Sequence, residues 1–507
     1  MIRIRLITAI IGYLSQGFVV LMIVPLIAAL LMKQYDSSFA FLVTIAVSFI
    51  FGRLAMKADK DVDFDDLNRI ESMGVVVFGW LFLALLGTIP YFFFGLNFVD
   101  SLFESMSGFT TTGSTILSDF SRLNSSMFFY RGFTQWIGGL GILVIFVALL
   151  PQLAIAGRQL FFAEVSAESK DKLTPRIKDT AGQLLSWYVA LTILCTAALC
   201  ITGMKPADAA TNAFATIAAA GFSPRDGSIW AYHNPAAEWV LIVFMFLAGA
   251  NFVLQVKSVK AFINCVSNSD DKLVKKNELH MIDSLKVFFS NPELLTYIGI
   301  ILVASSIIVG VLAYHTDTPL TTLIRDSLFQ CLSIITSTGS ASVDYELWPM
   351  AAKSILIILM FIGGCSGSAG GGMKVIRILI LWRYFWKMLL KNVYPEAVIR
   401  IKLGSRILRD ADVQPILTFF MFYLLVFFVG GTILCVIENS MVVGYSGSIA
   451  CLGNIGPGFK SIGPMGNFSD WHAISKLVAV FPMWAGRLEV MALVVFFRPE
   501  IWRGSRW

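Results

Sequence analysis

The sequence predicts an all-α polytopic membrane protein: a two-helix leader followed by four pseudo-symmetric repeats of helix, half-helix, turn and helix. Three observations carry that expectation. Apolar residues make up 57% of the 507-residue chain and charged residues only 14%, against about 25% charged in an ordinary globular chain. Charges gather between apolar runs of spanning length. Four shorter, mildly apolar segments each break at a small-residue cluster containing glycine, always in the same context. This composition excludes nucleic-acid binding, a secreted disulfide scaffold and a disordered regulator.

A spanning helix needs about 20 mostly apolar residues. Ten runs qualify: 6–32, 37–56, 73–96, 127–150, 183–204, 236–260, 293–314, 350–385, 413–437 and 470–497. The opening Met1-Ile2-Arg3-Ile4-Arg5 leads into the first run without a small-residue cleavage site, so that run reads as a retained helix and not a signal peptide. An even number of spans puts both termini on one side. Segments 257–292 and 377–412 hold six and eight basic residues, against four and three acidic ones. Segments 114–126, 222–237, 340–350 and 457–472 together hold three basic and five acidic residues. The first set and both termini are therefore expected to be cytoplasmic. Loop 57–72 is acidic and departs from the trend, but Asp and Glu count little in it. The net charge of +6 fits basic cytoplasmic loops. The seven cysteines form no C-x-x-C pair and read as small packing residues.

The chain divides into a leader at 1–72 and repeats at 73–150, 183–260, 293–390 and 413–507, the third carrying a glycine-rich intramembrane loop. The four clusters are Thr110-Thr111-Thr112-Gly113-Ser114, Ala218-Ala219-Ala220-Gly221-Phe222, Thr336-Ser337-Thr338-Gly339-Ser340 and Asn454-Ile455-Gly456-Pro457-Gly458. Their glycines are spaced by 108, 118 and 117 residues. A half-length helix that returns as extended chain leaves backbone polar groups at membrane depth, where only protein or a watery cavity can satisfy them. Four copies on one chain suggest pore helices and filter strands around one central pore, with carbonyl rings able to replace the hydration shell of a monovalent cation. Glycine permits φ > 0 and close backbone approach at such a turn. An external acidic surplus would concentrate cations at the mouth.

At these turns the chain resembles the Trk/Ktr/HKT superfamily of potassium transporters, and most closely the bacterial TrkH type. The supporting strings are Ser107-Gly108-Phe109-Thr110-Thr111-Thr112-Gly113, Phe214-Ala215-Thr216-Ile217-Ala218 running on to Gly221-Phe222-Ser223, Asn454-Ile455-Gly456-Pro457-Gly458, the run Phe361 to Arg377, and Gly486-Arg487-Leu488-Glu489-Val490. The resemblance covers essentially the whole chain. It implies K⁺ uptake through a filter of Thr110–Gly113, Ala218–Gly221, Thr336–Gly339 and Asn454–Gly456, with K⁺ the bound ion and no organic cofactor in this chain. It also implies a homodimer, a cytoplasmic nucleotide-binding ring of the TrkA (RCK) kind, and a bacterial inner membrane. Gly113 favours K⁺, since serine there marks sodium-selective plant relatives. One departure is Ser340, where TrkH-type chains commonly carry an aromatic residue.

Segment 363–374 holds six glycines, including Gly367, Gly370, Gly371 and Gly372. Each costs roughly 1 kcal/mol relative to Ala in a helix, so a flexible loop beneath the filter is expected, placed to obstruct the path. The resemblance gives this segment a gating role. Arg487 falls inside an apolar run, where a central arginine costs about 2.5–3.5 kcal/mol. It is expected to face the pore below the filter, with Glu104, Glu438 or a backbone carbonyl as partner. Lys374 is expected near a helix end, snorkelling to the interface or acting in gating. The G-x-S-G match at Gly364-Cys365-Ser366-Gly367 lacks a base at membrane depth, so protease chemistry is rejected. A transporter coupled to H⁺ or Na⁺ is the rival reading. Few acids in the spans and four parallel repeats weigh against it.

Overall fold

The computed structural model describes residues 3–59, 67–149, 173–267, 290–404 and 406–488, with Leu493 and Phe496. Lys272, Lys275, Lys276, Lys286, His280 and the end of the tenth predicted span lie outside the described residues. Helices dominate. The leader is α1 (Ile4–Leu31) and α2 (Tyr35–Met56). They pack closely enough that a Cβ on Gly12 would lie 2.8 Å from the Met56 nitrogen. The Ser15 hydroxyl donates to the Ser48 carbonyl at 2.8 Å, satisfying its polar hydrogen without water. Exposed Val20, Ile27, Phe39, Leu42 and Phe49 give the pair an apolar outer face suited to lipid.

The first repeat runs α3 (Arg69–Leu86), the single turn α4 (Ile89–Phe92), the pore helix α5 (Phe98–Phe109) and α6 (Ser125–Leu149). The second is α7 (Leu173–Ile201), pore helix α8 (Pro206–Ile217), α9 (Pro235–Gly249) and α10 (Phe252–Ser267). The third is α11 (Pro292–His315), pore helix α12 (Leu320–Ile335), α13 (Met350–Met360) and α14 (Val375–Val393). A small antiparallel hairpin, β1 (Ile401–Leu403) with β2 (Arg406–Leu408), leads to the fourth: α15 (Asp410–Glu438), pore helix α16 (Met441–Leu452) and α17 (Ala473–Arg487). Pore helices of 12, 12, 16 and 12 residues are too short to span. Local chemistry starts them: Asn97 and Ser440 accept first-turn amides, and Pro206 opens α8 with its fixed φ.

Among the described residues six helices are long and apolar enough to cross a membrane: Ile4–Leu31, Tyr35–Met56, Ile70–Phe92, Ala181–Ile201, Pro292–His315 and Asp410–Glu438. The predicted span 236–260 needs correction. It is two helices, α9 and α10, bent by 101°. Asn251 makes the break, its side chain accepting the Val253 and Leu254 amides at 2.9 and 3.1 Å and so capping α10. The remaining predicted spans correspond to α6, the interrupted α13–α14 pair and α17.

Behind the first pore helix lies a fully buried ion pair. Arg131 Nε donates to Glu104 Oε1 at 2.7 Å, and Arg131 Nη2 reaches the Thr115 hydroxyl at 3.0 Å. Glu104 Oε2 accepts the Ile116 amide at 3.1 Å, while the guanidinium lies 4.1 Å from the Phe222 ring centroid. The cluster thus joins α5, the strand leaving the first glycine turn and the residue after the second. Glu104→Ala would strand a buried guanidinium, with an expected loss of about 3–5 kcal/mol. Thermal unfolding of the purified variant in detergent checks this, and an unchanged midpoint would show that the cluster does not brace the fold.

Candidate functional site

Each pore helix ends in the same backbone turn. Its last residues, Thr110, Ala218, Thr336 and Gly453, keep φ between −74° and −84°. The next residues, Thr111, Ala219, Ser337 and Asn454, turn left-handed at φ of 54°, 55°, 58° and 53°. Two positions on, Gly113, Gly221, Gly339 and Gly456 turn left-handed again at 82°, 80°, 72° and 101°. A non-glycine residue pays roughly 1–2 kcal/mol for this conformation, yet it recurs in all four repeats. One matched bond holds it each time: the amides of Thr112, Ala220, Thr338 and Ile455 donate to the carbonyls of Ser107, Ala215, Ser333 and Ala450 at 2.8 to 2.9 Å. These amides point back to the helix end, leaving carbonyls for the opposite side. The structural equivalence adds Gly453, which the sequence reading left out of the fourth strand.

The turns meet in a closed cycle. A Cβ on Gly113 would overlap the carbonyl oxygen of Ala220, one on Gly221 that of Thr338, and one on Gly339 that of Ile455. The cycle closes at Gly456, where a Cβ would stand 2.8 Å from the Thr112 oxygen. All four glycines also line one outer cavity. The predicted filter residues therefore come together around a single axis. Three of their carbonyls already accept side-chain donors: Ala220 from Gln135 Nε2 and Gly456 from Ser114 Oγ, both at 2.9 Å, and Thr336 from Ser337 Oγ at 2.6 Å. Gln135 escaped the sequence reading; a glutamine inside an apolar run was the available signal.

The backbone at Ser340 matches its counterpart in the first repeat. Ser333 Oγ donates to the Ser340 carbonyl at 2.5 Å, as Ser107 Oγ does to that of Ser114 at 2.6 Å. The Thr336–Thr338 hydroxyl pair matches the Thr110–Thr112 pair, each at 2.7 Å. The third strand is a structural copy of the first. The charged residues lining the cavity are Arg131, Arg225 and Asp226; the other acids of the external segments, Asp119, Asp344, Glu346 and Asp470, stand outside its lining. Arg225 is itself 3.4 Å from Asp208 and lies over Tyr232.

The glycine-rich segment lies directly beneath the filter, between α13 and α14. A Cβ on Gly370 would stand 2.7 Å from the Thr336 oxygen, and one on Gly371 2.7 Å from the Gly453 oxygen. Only glycine permits that approach to the first positions of strands three and four. The segment is a loop and not a continuous helix, as expected, and its backbone is hydrogen-bonded on several sides. The Gly371 amide donates to Ser337 Oγ at 2.6 Å, and Cys365 N to the Gly249 carbonyl at 2.8 Å. Phe252 N donates to the Gly367 carbonyl at 3.2 Å. The bend between α9 and α10 thus exposes backbone groups that the loop satisfies.

Arg487 is 2% exposed, enclosed between loop and bundle instead of facing an open pore. It donates to the Ala369 and Gly138 carbonyls, both at 2.8 Å. Of the partners considered from sequence, the backbone carbonyl is the one found. Glu104 serves Arg131, and Glu438 accepts the His472 amide. Lys374 does not extend to an interface: its Nζ folds back onto Gly370 O at 2.5 Å and Ser368 Oγ at 3.4 Å. Gly372 also turns left-handed, at φ 67°.

The model of the TrkH family, described as cation transport protein, matches residues 37–504. The Trk system potassium uptake protein TrkH of Salmonella typhimurium is 35% identical over 98% of this chain and 99% of its own length. TrkH of Escherichia coli K12 is equally similar, at 35% with the same coverage. The crystal structure of the potassium transporter TrkH from Vibrio parahaemolyticus superposes with a TM-score of 0.87 at 32% identity, covering 99% of this chain and 100% of that one. With its apolar spans and four converging turns, the chain belongs to the TrkH family of membrane cation transport proteins.

Proposed function

We propose that this protein takes up K⁺ by selective, gated, channel-like permeation driven by the membrane potential. The observation that carries the reading is the closed cycle of four glycine turns under one outer cavity. Carbonyls of residues 110–113, 218–221, 336–339 and 453–456 replace the ion's water, and glycine at each turn keeps the axis narrow. The potassium uptake named for its relatives supports K⁺ as the ion. No coupling ion is needed. The potential contributes about 2.3 kcal/mol per charge per 100 mV, so roughly 180 mV sustains a gradient near a thousandfold.

In this reading Gly367, Gly370, Gly371 and Gly372 form a gate, with Lys374 fastening it from within and Arg487 tying it to α6. The buried guanidinium adds a positive barrier below the filter. Basic segments support cytoplasmic termini in a bacterial inner membrane. The "Trk system" of the relatives' names supports a multi-component assembly, for which we propose a homodimer with a cytoplasmic TrkA-type (RCK) nucleotide-binding ring.

Proteoliposomes loaded with K⁺ and given tracer Rb⁺ test the filter. External K⁺ should compete while Na⁺ does not, and Gly113→Ser should let Na⁺ compete; equal competition by both ions in the parent protein would overturn selectivity. Current should reverse at the K⁺ equilibrium potential at every pH and Na⁺ concentration, whereas a shift with either would establish coupled transport. Arg487→Ala should raise Rb⁺ flux about tenfold, removing the charge-assisted bond by which Arg487, anchored on Gly138 of α6, holds Ala369 of the gate. Unchanged flux in a folded variant would remove Arg487 from the pathway.

A further inference from the structure

The first turn of α11 carries a buried carboxylate to which the filter and Arg487 make no claim. Glu293 is 4% exposed. Its Oε1 accepts the Ser366 amide at 2.5 Å and the Ile376 amide at 3.3 Å. Those two donors lie on either side of the glycine segment, Ser366 where it begins its passage under the filter and Ile376 in the first turn of α14. One oxygen therefore pins both ends of the loop to a helix of the bundle. The carboxylate also sits at the N-termini of α11 and α14 together, where both helix dipoles favour negative charge. That placement offsets the cost of burying it.

We propose that Glu293 is the latch of the gate: a positioning residue whose carboxylate holds the glycine loop closed and must release Ser366 for the loop to withdraw. The inference rests on the reading of segment 363–374 as a gate. Its logic is geometric. Six glycines give the segment wide backbone freedom; Lys374 restrains it from within at Gly370, and the remaining restraint comes from outside it. Arg487 holds the far side through the Ala369 carbonyl, and Glu293 holds the near side through an amide. Donor and acceptor are reversed between the two anchors, so the loop is fastened by both polarities of its backbone.

A native reporter lies next to the latch. Cys365 is 1% exposed and its amide is tied to Gly249 O, whereas Cys195 is buried in α7, outside the loop and the filter strands. Glu293→Ala and Glu293→Gln would be reconstituted as full-length protein with the parent. Labelling by a small methanethiosulfonate would be read cysteine by cysteine by mass spectrometry, alongside Rb⁺ flux. Loss of charge-assisted bonds of this kind is worth about tenfold. Cys365 labelling and flux should both rise by about that factor in Glu293→Ala and less in Glu293→Gln, with Cys195 unchanged. Unchanged Cys365 labelling in both variants would overturn the latch. A parallel rise at Cys195 would also overturn it, because Glu293 would then support the whole bundle. Faster Cys365 labelling at constant flux would keep the latch and refute the loop as the gate.

Discussion

The structure depends on one contact, the close approach of each filter glycine to a carbonyl oxygen of the next repeat. Four backbones share an axis only when nothing projects between them, and a single methyl group at any of the four glycines would collide with its neighbour. Much of the surrounding architecture serves that approach. The pore helices deliver the strands, and the amide bonds back to their ends hold two left-handed residues in each turn. The Glu104–Arg131 pair and Gln135 brace the strands from behind with groups that can be desolvated because each finds a partner. The leader contributes by packing α1 against the first repeat, where Phe18 meets Phe109 edge to face.

The four repeats agree in backbone and differ in what lies beneath them. In the first and fourth, α6 and α17 pass under the filter and bring glycines there: a Cβ on Gly138 would overlap the Phe109 carbonyl oxygen and one on Gly486 that of Leu452. The second and third have broken helices instead, and the two breaks complete each other. Backbone groups exposed by the bend at Asn251 are satisfied by the glycine segment of the third repeat. A bond made between two irregular segments is easier to exchange than one inside a helix, since neither partner belongs to a cooperative ladder.

The filter glycines were legible in the sequence because the geometry admits one residue type there, so the requirement is written as a letter. The left-handed position two residues earlier was illegible: Thr111, Ala219, Ser337 and Asn454 have no one side-chain chemistry in common to all four, and the conformation is imposed by the turn around them. Gly453 was missed because the fourth strand aligns by backbone and not by sequence. The break at Asn251 was hidden within a continuous apolar run, where one polar residue reads as an ordinary interruption. Arg487 announced itself as a charge in a span, but its partners are carbonyls, which no sequence displays. Arg131 gave the same signal, and its pairing became clear only when Glu104 was seen beside it.

Carrying the four strands on one chain has a consequence for how such a filter changes over generations. In a pore made from identical subunits every substitution appears four times and alters the whole ring at once. Here the second position of the turn already holds threonine, alanine, serine and asparagine on an almost superimposable backbone. Each quarter of the ring is a separate locus, open to mutation while the other three preserve the opening. Divergence can therefore proceed in quarter steps.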